Sequence, residues 1–360
     1  MKDRPAVSAP ISPNDPKGAS LRKSNTPSAV IYGCAGLTLS DEEKHFFADI
    51  DPFGFILFGR NVETPLQVAA LVDELRSCVG RRAPVLIDQE GGRVQRLKAP
   101  HWRRRPPMEL FGKMAAHNLP LARRAAWLNA RIIADELFEL GIDVDCAPLL
   151  DLRIEGADDI IGDRAFGGDP ALVADLGRSV MDGFLDGTVM PVVKHIPGHG
   201  RATVDSHLDL PVVETDAQTL EKFDFAPFRS LRDAPWAMTA HVVYKAFDEH
   251  RPATISKTVI DDVIRGSIGC QGVLLSDDLS MKALKGGFAE RAQDSLDAGC
   301  DIVLHCNGEM AEMRAIALAL RPLSDEAQFR VARADSMLRN RPLPAAAEAM
   351  LDVWLNEGRR

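Results

Sequence analysis

The stretch Val189-Met190-Pro191-Val192-Val193-Lys194-His195-Ile196-Pro197-Gly198-His199-Gly200 sets an apolar run directly against a lysine and two histidines, and Asp205-Ser206-His207 follows. An apolar run this short reads as a strand buried on both faces, which is the signature of a parallel sheet covered by helices. Charged side chains cannot sit easily inside such a strand, so they mark the point where it ends and a pocket begins. The proline and glycines that follow fix a loop shape that other residues resist. Asp205 lies two residues from His207, close enough for a carboxylate to orient and charge-stabilise an imidazole. That pairing makes a proton-transfer group, and hence points to an enzyme.

The same grammar recurs along the chain. Short apolar runs at 29–32, 54–58, 84–87, 143–147, 191–194, 236–240, 272–275 and 301–305 alternate with helical patterns. Ser40 with Glu43 reads as a capping box. Thr64-Pro65 and Asp169-Pro170 read as helix starts, and a long helix over 121–140 should stop at Gly141. Ser256 should cap the helix before the seventh strand, a helix over 287–298 should join the seventh to the eighth, and one or two helices should follow Ser324. Eight strand–helix units closing on themselves predict a (β/α)8 barrel, a TIM-type α/β fold. A doubly wound open sheet is the competitor, and no GxGxxG follows the first strand to favour it. Residues 1–28, rich in Pro, Ser, Asn, Lys and Asp without an apolar segment, read as a flexible tail, and 29–360 as the barrel domain with closing helices.

Composition narrows the function. A net charge of −9 over 360 residues argues against a nucleic-acid partner. No apolar run approaches the roughly 20 residues needed to cross a bilayer. The six cysteines lack CxxC spacing and read as reduced thiols, so the expectation is a cytoplasmic protein without a metal or other cofactor.

Barrel enzymes carry their chemistry at the C-terminal ends of strands. Here those ends hold Asp88-Gln89-Glu90-Gly91-Gly92-Arg93-Val94-Gln95-Arg96, then Asp151 and Gly162-Asp163-Arg164, then Lys194-His195, His241, and Ser276-Asp277-Asp278. Such a collection describes a polar pocket suited to a hydroxyl-rich ligand. Asp277 and Asp278 point to opposite sides of an extended segment, and periodicity alone does not choose between them. His199 reads most simply as a hydrogen-bonded loop residue.

The segments KHIPGHG and DSH, with IDQEGGRVQR before them and LLSDDLSM after them, together resemble glycoside hydrolase family 3. They are most similar to its bacterial β-N-acetylglucosaminidases, which recycle cell-wall fragments. Ile196 replaces the usual Phe of that pattern, and Arg201-Ala202 replace a more polar pair. The resemblance implies that Asp277 is the nucleophile, that His207 is the acid/base with Asp205 as its partner, and that Asp88, Arg96, Arg164, Lys194 and His195 bind sugar. It further implies a retaining exo-β-N-acetylglucosaminidase. The implied partner is a small carbohydrate, a disaccharide of N-acetylglucosamine and 1,6-anhydro-N-acetylmuramic acid with or without peptide. The alternatives are a family 3 β-glycosidase of other specificity, a metal-dependent hydrolase, a Schiff-base aldolase using Lys194, and a sugar-binding protein without turnover.

Overall fold

The computed structural model describes residues 26–157, 159–202, 204, 206 and 209–358. Eight parallel strands close into a barrel: β1 (Ser28–Gly33), β2 (Pro52–Leu57), β3 (Val85–Ile87), β4 (Val144–Asp145), β5 (Met190–Ile196), β6 (Trp236–Thr239), β7 (Val273–Asp278) and β8 (Ile302–His305). Each pairs with its sequence neighbours, and β8 closes on β1 through Val30↔Val303 and Ile31↔Leu304. The eight apolar runs of the sequence therefore all became barrel strands.

Every residue of β2 through β6 and of β8 is buried, because helices cover the outside while side chains fill the inside. The strand β7 differs at its last two positions, Asp277 and Asp278, which are only half-buried. Register breaks at three places in the barrel: between Ser28 and Ile31 at the start of β1 where it meets β2, between Lys194 and Ile196 where β5 meets β6, and between Leu275 and Asp278 where β7 meets β8. Irregular pairing of this kind re-aims side chains, and the last two breaks fall where the polar residues gather.

The helices obey their sequence signals. In α1 (Asp41–Ile50) Ser40 and Glu43 form the reciprocal capping box, and α2 (Pro65–Val79) starts under the Thr64 hydroxyl, which accepts from the Gln67 amide. The helix α3 (Met108–Glu139) is longer than the expected 121–140. It consists of two pieces joined at Asn118, whose φ of −150° and ψ of 84° are non-helical. Pro120 lacks the amide that would continue the first piece, and Asn118 Oδ1 caps the second by accepting from Leu121 N at 3.1 Å. Asp169 caps α4 (Pro170–Asp186) as its sequence implies. Between β5 and β6 come α5 (Ala217–Lys222) and α6 (Ala226–Ser230), and α7 (Phe288–Ala298) joins β7 to β8. The segment before β7, Val259–Ser267, is a π-helix and not an α-helix, although Ser256 Oγ does accept from Val259 N at 3.2 Å.

After β8 the chain forms α8 (Met310–Ala317), α9 (Asp325–Asp335) and α10 (Ala347–Glu357). Arg105 fastens α10 to the barrel. Its buried guanidinium donates to Glu136 Oε1 of α3 at 2.5 Å and to Glu348 Oε1 of α10 at 2.7 Å. Burial disfavours its charge, but hydrogen bonds and the fields of Glu348 and Glu136 more than compensate, so Arg105 stays ionised. Removing it leaves Glu136, itself pushed up by burial, without its counter-charge. Arg105→Ala should therefore lower unfolding stability by about 3 kcal/mol in a urea titration.

Candidate active site

The polar strand ends converge on a cavity of about 190 Å³ at the C-terminal face of the barrel. Asp88, Arg96, Arg164, Lys194, His195 and Asp277, six of the eight expected site residues, line it together. The other two, Asp205 and His207, lie outside the described residues. Ser206 between them also lines the cavity.

Lys194 projects from the end of β5 and is buried, so its ammonium needs compensation. It has two carboxylates, Asp88 Oδ1 at 2.8 Å and Glu90 Oε1 at 2.7 Å. Each carboxylate is shared in turn: Asp88 Oδ2 accepts from Arg96 at 3.0 Å, while Glu90 receives Arg164 in a two-pronged pair at 2.8 and 2.9 Å. Burial pushes the Asp88 and Glu90 carboxyls up. The fields of Lys194 and Arg96 on Asp88, and of Arg164 and Lys194 on Glu90, outweigh it, so both are held below the usual carboxylate range. Burial likewise works against charge on Lys194, and Asp88 and Glu90 reverse it, leaving the ammonium held above its ordinary value. A Schiff-base lysine needs the opposite shift, toward the neutral amine. The geometry thus sets aside the aldolase reading and leaves a fixed array of cations and anions for a ligand's hydroxyl groups.

Behind this array stands Asp151, fully buried after β4. Its carboxylate accepts from His195 Nδ1 at 2.7 Å, from His195 N at 3.2 Å and from His199 N at 2.6 Å. Burial pushes its carboxyl up, but His195 and His199 bring it below the usual range. Because a carboxylate only accepts, His195 Nδ1 carries the proton, which leaves Nε2 as the ring nitrogen available to a ligand.

The two neighbouring aspartates at the end of β7 do different work. Asp278 Oδ1 accepts from Ser280 N at 3.0 Å and Cys306 N at 3.1 Å, and its Oδ2 accepts from Ser280 Oγ at 2.6 Å. Its carboxylate is thus committed to the backbone of two loops. Asp277 Oδ1 accepts from the Asp278 amide at 2.8 Å, and the side chain lines the cavity.

Some participants are missing from the expected set. Glu90, the shared anion of Lys194 and Arg164, lies two residues from Asp88. On an extended segment that spacing puts both on one side, a signal that was legible. Asp151 stood at a strand end, but nothing local distinguished it. The expected hydrogen-bonded role of His199 holds, with Nε2 3.2 Å from Ser206 Oγ. Gly198 and Gly200 each have a local reason to be glycine. Gly198 has φ of +143° and its carbonyl accepts from the Tyr244 hydroxyl at 2.8 Å, whereas a Cβ on Gly200 would stand 2.1 Å from Leu152 O. Among the described residues no group of three or more His, Cys, Asp or Glu is arranged to hold a metal ion.

Residues 15–335 match the family model described as the glycosyl hydrolase family 3 N-terminal domain. The chain belongs to glycosyl hydrolase family 3. It is 40% identical over 284 residues to a β-hexosaminidase of Thiobacillus denitrificans, covering 77% of this chain and 78% of that one. Identity to a β-hexosaminidase of Alkalilimnicola ehrlichii is also 40%, over 305 residues, 82% of this chain and 84% of that relative. Among solved structures it resembles NagZ from Neisseria gonorrhoeae in complex with N-trifluoroacetyl-D-glucosamine. That likeness has a TM-score of 0.82 at 32% identity, covering 92% of this chain and 98% of that one.

The family 3 cavity has an acid-sensitive element. Burial, reinforced by His195, holds the His199 imidazole down at about 4 against an ordinary 6.5. The unfolded chain therefore binds a proton at His199 below pH 6.5 that the folded chain refuses, so stability falls as pH drops from about 6.5 to about 4. The loss from this one group is on the order of 3 kcal/mol. Asp88, Glu90 and Asp151, all held low, add their losses only below the usual carboxylate range. His199→Gln should flatten the upper window and leave the lower one, measured as urea midpoints across about pH 2 to 8.

Proposed function

We propose that the protein is a retaining exo-β-N-acetylglucosaminidase. It removes terminal β-linked N-acetylglucosamine from soluble peptidoglycan fragments, such as the disaccharide with 1,6-anhydro-N-acetylmuramic acid, with or without its peptide. The observation that carries this reading is the conjunction at one strand-end cavity of Asp277 with a charge-locked array of Asp88, Arg96, Arg164, Lys194 and His195. Sugar hydroxyls both donate and accept, and an array of fixed carboxylates and fixed cations offers both complements at defined positions.

Hydrolysis then runs in two displacements. The Asp277 carboxylate attacks the anomeric carbon, forming a glycosyl ester as the bond to the leaving oxygen breaks. His207, outside the described residues, gives its proton to that oxygen. Water next attacks the same carbon, passes a proton to His207, and Asp277 departs as the carboxylate. Two inversions give net retention. Asp205 orients the imidazole and stabilises its cationic form, as the acidic member of a catalytic triad does. The array around Lys194 holds the non-reacting hydroxyls so that the anomeric carbon meets Asp277, which converts binding energy into orientation. Preference for the 2-acetamido group over a 2-hydroxyl is supported by the relatives' β-hexosaminidase character. Among the described residues no helix is long and apolar enough to cross a membrane. The proposed place of action is the cytoplasm, on fragments already released from the wall.

Asp277→Ala should lower turnover of an aryl 2-acetamido-2-deoxy-β-glucoside by several orders of magnitude, and normal turnover would rule out the assigned nucleophile. The matching aryl β-glucoside should be turned over far more slowly by the native enzyme, with parity as the refuting outcome. For His207→Ala, kcat should drop by about 10² to 10⁴ on a natural disaccharide. The drop should be much smaller with a dinitrophenyl leaving group, which needs no protonation.

A further inference from the structure

His241 is fully buried just beyond β6, and the role given to it here rests on Asp277 being the nucleophile. We propose that His241 is a positioning residue for glycosylation: its Nε2–H holds the peptide that joins Asp277 to Asp278 by donating to the Asp278 carbonyl, and Thr254 fixes the imidazole that does so.

His241 Nε2 lies 3.0 Å from the Asp278 carbonyl oxygen, and Nδ1 lies 2.7 Å from Thr254 Oγ1. A carbonyl can only accept, so Nε2 carries a proton. Burial holds the imidazole below its ordinary value, against the raising effect of Asp277, so it stays neutral with that single proton. Nδ1 is then an acceptor and must receive the Thr254 hydroxyl hydrogen. Thr254 Oγ1 in turn has Thr239 Oγ1 at 2.8 Å, whose hydroxyl can donate to it. The Ala240 carbonyl, 3.2 Å from Thr254 Oγ1, is the weaker competitor for the same proton. One pattern satisfies the chain: Thr239 to Thr254, Thr254 to His241, His241 to Asp278. It runs from the wall of β6 to the backbone of the nucleophile.

The pattern matters because Asp277 stands where β7 has left its regular register with β8. Pairing with β8 is interrupted before it and resumes only at Asp278↔Leu304, where Leu279 N donates to Leu304 O at 2.8 Å. To that resumed pairing are added the Asp278 carboxylate, tied to Ser280 and Cys306, and the Asp278 carbonyl, which accepts from Met281 N at 3.1 Å as well as from His241. Met281 belongs to the same turn and moves with it. His241 is anchored in the neighbouring strand, so it refers the nucleophile's position to the barrel. When Asp277 becomes an ester its charge disappears, and with it the largest of the fields that favour a cationic His241. The imidazole thus remains neutral and keeps its hydrogen bond through both steps.

The test uses the full chain and 2,4-dinitrophenyl 2-acetamido-2-deoxy-β-glucoside, whose departure needs no acid. It also uses a 5-fluoro analogue with a good leaving group, which reports attack by Asp277 as a labelling rate read by intact mass. His241→Ala should lower kcat and the labelling rate together by about 10- to 100-fold, the size expected when a reacting group is misplaced by a fraction of an ångström to an ångström, with KM changed by less than about threefold. His241→Gln, whose amide can donate from near the Nε2 position, should recover most of the loss. Thr254→Val, which keeps the ring but frees Nδ1, should cost about 3- to 10-fold in both rates. Native labelling rates in His241→Ala, or equal losses in the Ala and Gln variants, would overturn the proposal. If His241→Ala does not fold, an unchanged labelling rate in Thr254→Val overturns it instead. Labelling of the native enzyme at a residue other than Asp277 would sink the nucleophile assignment itself, which is a separate failure.

Discussion

A buried ammonium must be neutralised by charges that are themselves held in place, and at the end of β5 that requirement organises one whole side of the cavity. Lys194 has no room to reach solvent, so Asp88 and Glu90 must be ionised beside it. Two buried carboxylates so close would repel each other and drift toward the neutral acid, and Arg96 and Arg164 prevent that. The five side chains come from three stretches of chain, residues 88–96 after β3, the loop that carries Arg164, and the end of β5, and none can be removed without leaving a charge stranded. Cohesion of this kind adds little net stability against an apolar core. Its value is that the polar atoms facing a ligand cannot rearrange. The same demand explains why Lys194 is held protonated, which suits hydroxyl binding and opposes Schiff-base chemistry.

The barrel was legible because its code is local and repeated. Runs such as Val85–Ile87 and Ile302–His305 are buried on both faces, by helices outside and by the barrel's own side chains inside, and continuous apolar strands of this kind belong to parallel sheets. The caps at Ser40, Thr64 and Asp169 were legible because an amide at a helix start needs an acceptor within three residues. By contrast, the π-helical turn at Val259–Ser267 and the kinked entry of α3 depend on what the segments pack against. A hydrophobic pattern near period 3.6 does not distinguish a wide turn from an ordinary one. Asn118 could be recognised as a cap only once Pro120 was seen to begin a second piece and not the helix itself.

Within the site, residues that act at a strand's end were readable and those that act from behind were not. Asp88, Lys194, His195 and Asp277 interrupt apolar runs, which is conspicuous in sequence. Asp151 is equally essential to the geometry, since it fixes the tautomer of His195 and anchors the His199 amide, yet its role depends on two residues more than 40 positions away. His241 is similar. Its partners, Thr254 and the Asp278 carbonyl, meet it only in the folded barrel, and one of them is a backbone atom with no sequence identity at all.

On the proposed reading, the pair Asp277-Asp278 supplies both an anchor and a reactive group from one dipeptide. Both aspartates border the cavity, and what separates them is their hydrogen bonding, because the Asp278 carboxylate is taken up by its own loop. That carboxylate binds three donors, Ser280 N, Ser280 Oγ and Cys306 N. A carboxylate with that many donors is fixed, and it fixes the peptide that carries Asp277. The bulge in β7 makes the arrangement necessary, because a regular ladder would hold the backbone but would also point Asp277 along the barrel wall's normal alternation. The interruption frees the aim of the side chain, and the hydrogen bonds of Asp278 and His241 add to the rigidity that the pairing resumed at Asp278 gives. On this reasoning the irregularity in β7 is a condition of its chemistry.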